Sequence, residues 1–101
     1  MELLDYIRMT CRVSSGVYDE ELMSLIEAAR ADMIRVGVDP SYVEGDDALV
    51  RQAISCYCKS RFGFDNEDAA LYWRSYSQMV ADMMNGPHNV ACIEQRGSAD
   101  D

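Results

Sequence analysis

Residues 18–37 read YDEELMSLIEAARADMIRVG, and their spacing decides the fold. Leu22, Leu25, Ile26, Ala29, Met33 and Val36 recur at intervals of three and four residues, the period of one helix face. Asp19 is expected to cap the start, because a carboxylate there accepts from unpaired amides of the first turn. Glu20 and Glu21 follow, where the helix dipole favours negative charge. Gly37 supplies the left-handed residue that commonly ends a helix. Glu27, Arg30 and Asp32 fall off the stripe and are expected in solvent.

The same grammar extends in both directions. Upstream, Leu3, Leu4, Ile7 and Cys11 share one face of a short helix within Met1–Val13, and Ser14-Ser15-Gly16 breaks it. Downstream, Val38–Gly45 reads as a loop around Asp39-Pro40. Asp46 or Asp47 then opens a helix with the stripe Val50, Ala53, Ile54, Tyr57 and Cys58. Gly63 ends it, between Phe62 and Phe64. The last helix, DNEDAALYWRSYSQMVADMMN, spans residues 65–85. Asp65 is its expected cap, with Glu67 and Asp68 in its first turn. Ala69, Tyr72, Trp73, Tyr76, Met79, Val80 and Met83 give it a wide apolar face, and Asn85-Gly86-Pro87 stops it.

These segments predict an all-α fold, a small bundle of about four helices. Residues 1–86 read as the helical domain. Residues 87–101 read as a C-terminal tail, mobile or ordering on a partner. Within it, Val90–Ile93 has thin support as a short strand.

At 101 residues, the chain fits one domain with one modest core. Its 49% hydrophobic content suits a globular fold rather than global disorder. Asp and Glu outnumber Lys and Arg by 18 to 9, for a net charge of -9. Such a chain repels a phosphate backbone unless its cations cluster, and the sequence shows no basic run. The opening MELLDYIRMT lacks the basic region and apolar core of a signal peptide. No stretch approaches the roughly 20 apolar residues of a membrane span. Synthesis in a cytosol is expected, with Cys11, Cys56, Cys58 and Cys92 reduced.

Motifs for chemistry are sparse. Cys56 and Cys58 point to nearly opposite sides of a helix and do not easily share one ion. His88 and Cys92 have a usable spacing but no second ligand pair. His88, the single histidine, lies in the expected tail, where a general base would lack positioning. The carboxylate clusters all fall at helix starts and read as caps. There is no phosphate loop and no dinucleotide fingerprint. No catalytic residue, cofactor or metal is therefore assigned, and the protein is not expected to be an enzyme.

The last helix carries more wide apolar side chains than one small core needs. Aromatic stripes at this spacing are usually core. Even so, Tyr, Trp, Met and Arg are types enriched at interfaces. Tyr72, Trp73, Arg74, Tyr76, Met79 and Met83 are expected to form a self-assembly interface.

In order and texture the chain resembles the head–tail connector proteins of tailed bacteriophages. The resemblance runs from LLDYIRMT through VYDEELMSLIEAARADMIRVGV and DDALVRQAISCYCKSRFG to DNEDAALYWRSYSQMVADMM. It rests on the acidic-leucine opening Asp19–Leu22, the run Leu25–Arg30, and the aromatic pair Tyr72 and Tyr76. These are packing patterns, not catalytic motifs. The resemblance implies a non-enzymatic virion protein of the head–tail junction, made in the host cytoplasm. It would form a ring, commonly dodecameric, below the portal protein. DNA would pass through its lumen without sequence-specific binding, and a head-completion or tail protein would dock beneath. Residues 92–101 match nothing in that pattern. Two other readings stay open: a small cytosolic helical adaptor or regulator, and a packaging-associated nucleic-acid-binding protein. The latter would need a basic recognition helix, and none is seen.

Overall fold

The computed structural model describes residues 2–63 and 67–91. Five helices follow in order: α1 (Leu3–Thr10), α2 (Asp19–Val36), α3 (Pro40–Val43), α4 (Ala48–Arg61) and α5 (Ala69–Met84). A 3-10 turn, Gly16–Tyr18, leads into α2. The fold is all-α, with four longer helices and the short α3. No strand forms among the described residues; an isolated antiparallel bridge joins Val38 to Asn89. No described helix is long and apolar enough to cross a membrane.

The stripes meet in one core. Ile7 of α1, Leu22, Ile26, Ala29 and Met33 of α2, Val50, Ala53, Ile54, Tyr57 and Cys58 of α4, and Tyr76, Val80 and Met83 of α5 are buried together. Packing of α4 against α5 and α2 dominates. Buried Ser55 donates to the Thr10 hydroxyl at 2.8 Å, so a polar group inside the bundle is satisfied while tying α4 to α1. Val36 departs from its expected stripe and is exposed. It stands in the last turn of α2, on the side away from the core that Met33 and then Val38 enter.

Helix ends follow the sequence in part. Gly37 takes φ 116°, and its amide and that of Val38 bond back to Ile34 and Met33. Asp47 is the α4 cap and accepts from the Leu49 amide at 2.8 Å. Asp19, however, does not cap α2. Its two oxygens receive Arg8 Nε at 2.8 Å and Nη2 at 2.6 Å. A charged fork outcompetes the cap because paired N–H donors match a carboxylate better than one amide does. The expected cap Asp65 lies outside the described residues. α5 starts at Ala69, so Glu67 and Asp68 precede it.

The Val38–Gly45 loop contains α3, opened by Pro40 at its first position and by Asp39, which accepts from the Ser41 amide. The chain also does not leave the domain at residue 86. The Asp39 amide donates to the His88 carbonyl at 2.7 Å, and the Val90 amide to Gly37 at 2.8 Å. Asn89 Nδ2 donates to the Met84 carbonyl at 2.9 Å. His88 stacks on Tyr42, centroids 3.5 Å apart and nearly parallel. The start of the expected tail is thus packed on the turn between α2 and α3. Its remainder, residues 92–101, lies outside the described residues, and so does half of the expected strand Val90–Ile93; the described half, Val90 and Ala91, is helical rather than extended.

Candidate self-assembly interface

α5 is antiparallel to α4, which brings its aromatic first half against the last turns of α4. Tyr57, Trp73 and Tyr76 form one cluster, with centroids 5.2 Å apart for Tyr57–Tyr76 and Trp73–Tyr76. The Arg61 guanidinium lies 4.1 Å from the Tyr57 ring centre and 4.6 Å from that of Trp73. Two ring faces flank this cation, which also helps hold the nearby Asp32 carboxyl low. Lys59 Nζ stands 5.2 Å above Tyr72.

The expected interface residues separate into two layers. Tyr76 and Met83 are core, 2% and 1% exposed in the isolated chain. Tyr72 and Met79 are half-buried, while Arg74 and Trp73 are exposed. Tyr76 is fixed from below: its hydroxyl donates to Asp32 at 2.7 Å. Burial, then this bond, pushes the Tyr76 hydroxyl far above its ordinary pKa. Asp32 is therefore not the solvated residue expected. Burial acts to raise its carboxyl, yet the bonds from Tyr76 and Arg35 outweigh it and hold the group low. Arg30 is also partly buried, with its Nε enclosed and unpartnered.

Sequence reasoning missed part of the surface. Met9, Val17 and Tyr18 are exposed, as are Leu71 and Trp73. Tyr18 meets Phe62 edge-on at 5.4 Å, which links the 3-10 turn to the end of α4. The only available signal was Val17-Tyr18 after a glycine, too short to show a period. Two hollows flank Phe62. One, about 510 Å³, lies among Met9, Arg12, Lys59 and Tyr72. The other, about 560 Å³, lies among Arg12, Ser15, Tyr18, Glu21 and Arg61.

Reactive groups do not converge. Cys58 is buried and Cys56 half-buried; burial pushes the Cys58 thiol up to about 12 and raises Cys11 and Cys56 as well. Among the described residues, no three metal-ligating side chains gather. Cys92 lies outside them. His88 is occupied by Tyr42 rather than idle in a tail.

The family model described as phage connector protein matches residues 3–87. The chain belongs to that family. The match spans all five helices. The family is structural rather than catalytic, and membership implies contact between the connector and the portal or other phage proteins. No curated protein and no solved structure matches the connector significantly.

Proposed function

We propose that the connector assembles as a closed ring at the head–tail junction of the virion, dodecameric on its portal. The ring extends the DNA channel and offers its far side to the next head-completion or tail protein. The observation that carries this reading is that Met9, Val17, Tyr18, Leu71 and Trp73 all stand exposed on so small a chain. Large apolar groups left in solvent suit a surface that a partner covers. Trp73 and Arg74 would meet a neighbour directly, with Tyr72 and Met79 at the edge. Tyr76 and Met83 would support them from the core.

The net charge of -9 suits a channel wall. A wall without clustered cations releases few counterions from DNA, so it does not grip the passing duplex. The test is mass measurement over a concentration series, with and without the cognate portal. A ring of many copies in either condition is expected. A strict monomer in both, with no portal affinity, would leave the small-adaptor reading instead.

A further inference from the structure

The 510 Å³ hollow at the end of α1 has an unusual lining for so acidic a chain. Met9, Phe62 and Tyr72 give it apolar walls, and its charged groups are Arg12 and Lys59. No described carboxylate lines it, although acids outnumber bases by 18 to 9. Arg8, Arg35 and Arg51 each hold an aspartate within the chain. Exposed Arg12 makes no such pair among the described residues.

Arg12 is also held in a conformation that favours glycine. Its φ is 60°, at the end of α1, where the Arg12 amide bonds to Met9 and the Val13 amide to Arg8. This is the left-handed closing turn of a helix, a place glycine fills without steric cost. A cation stands there instead, beside the hollow.

The complementary charge lies at the opposite end of α4. Glu44, Asp46 and Asp47, on the corner between α3 and α4, are all exposed. The Glu44 carboxylate has no hydrogen-bond or ion-pair partner among the described residues, its amide alone bonding to the Pro40 carbonyl, and Asp46 meets Arg51 at 3.3 Å with its side chain 84% exposed. The acids of the α2 start, Glu20 and Glu21, sit at the hollow's own end, because Tyr18 packs on Phe62. Among the described residues this corner sets three exposed carboxyl groups within four positions, away from the hollow; Arg51 holds Asp46, and Asp47 accepts from Tyr42 and the Leu49 amide, which leaves the Glu44 carboxylate unengaged.

We propose that the Arg12 hollow receives the Glu44–Asp46 corner of a second copy of this chain. The inference rests on the ring reading and names the two faces that meet. Each copy then keeps one free hollow and one free corner, so the contact repeats until it closes. Opposite charges set the register, and the apolar walls exclude water around them.

The test uses Arg12→Glu and Glu44→Arg in the full chain, under conditions where the wild type assembles. Circular dichroism establishes that each variant folds, and Arg12→Ala replaces the first if it does not. Each variant alone should self-associate at least about tenfold more weakly in sedimentation. An equimolar mixture of the two charge-reversal variants should assemble again, since each hollow then finds an opposite charge on the other's corner. With Arg12→Ala, weakened association alone carries the test. Single variants that assemble like the wild type would remove this interface and leave the ring reading standing, as would a mixture that stays dissociated. A wild type that remains monomeric even with the portal would remove both.

Discussion

The Tyr76 hydroxyl donates to the Asp32 carboxylate across 2.7 Å, joining α5 to α2 at the margin of the core. Arg35 holds the same carboxylate from the solvent side, also at 2.7 Å. Tyr76→Phe keeps the ring in its cluster and removes only the hydroxyl. It should cost about 1.5–3 kcal/mol, the range for a hydrogen bond to a charged group. Urea denaturation checks the value. Combined with Asp32→Asn, the loss should be smaller than the sum of the two singles, because both remove one interaction.

Stability should fall at both extremes of pH. The carboxyls of Asp19, Asp32 and Asp47 are held below their ordinary range in the folded chain. The unfolded chain therefore takes up these protons first, near pH 3.9 (approximately). Their stabilisation is complete above that value and disappears as pH drops through the lower folded values. At the other extreme, burial and then the Asp47 bond push Tyr42 up to about 12. Its neutral form is favoured in the fold, so that contribution is intact below about pH 10 and lost as pH climbs towards 12. Urea midpoints measured from acid to alkali should trace a plateau with two falling sides; a midpoint that rises on acidification below pH 4 (roughly) contradicts the carboxylate part.

Gly37 and Arg12 both occupy left-handed backbone, at φ 116° and 60°, and should respond oppositely to exchange. Gly37→Ala should destabilise by about 1 kcal/mol or more through backbone strain. A β-carbon there also comes 3.0 Å from Met84 Cε, a flexible end that can move aside. Arg12→Gly should be neutral to stabilising, by up to about 1 kcal/mol, while weakening self-association. Thermal melts and sedimentation on the same samples separate the two effects.

Ile26→Asp should be severe. Ile26 is 5% exposed in the α2 stripe, and an unpaired charge there costs several kcal/mol, comparable with a small domain's whole stability of about 5–15 kcal/mol. A melting curve like that of the wild type would mean the face is misassigned.

Replacing all four cysteines, by Ala where buried and Ser where exposed, should leave assembly intact. In the native protein the Cys58 thiol should resist alkylation, since it is buried and held neutral. Mass spectrometry after brief reagent exposure checks this, and stoichiometric zinc in protein purified without added metal would contradict the first expectation.

Much of this fold is legible because its helices carry regular stripes between strong stops. Ile26, Ile54 and Val80 could be placed in the core from spacing alone. Features set by tertiary competition were not. Asp19 looks like a cap until Arg8 arrives from another helix. Asp32 looks solvated until Tyr76 reaches it from α5. α3, at four residues, is too short to show a period. The candidate interface was half legible for the same reason. Spacing puts Tyr76 and Trp73 on one broad face, but only packing decides that Tyr76 is covered and Trp73 is not.

The bond from the Asp39 amide to the His88 carbonyl has a consequence in time. Chains emerge from the ribosome N-terminus first, and domains fold largely as units during synthesis. The turn between α2 and α3 is made early, yet its partners at residues 88–90 come after α1 to α5 have been translated. Until then the Asp39 amide and Gly37 carbonyl face water, and Tyr42 lacks its stacking imidazole. The turn that leads into the acidic corner therefore gains its final support last.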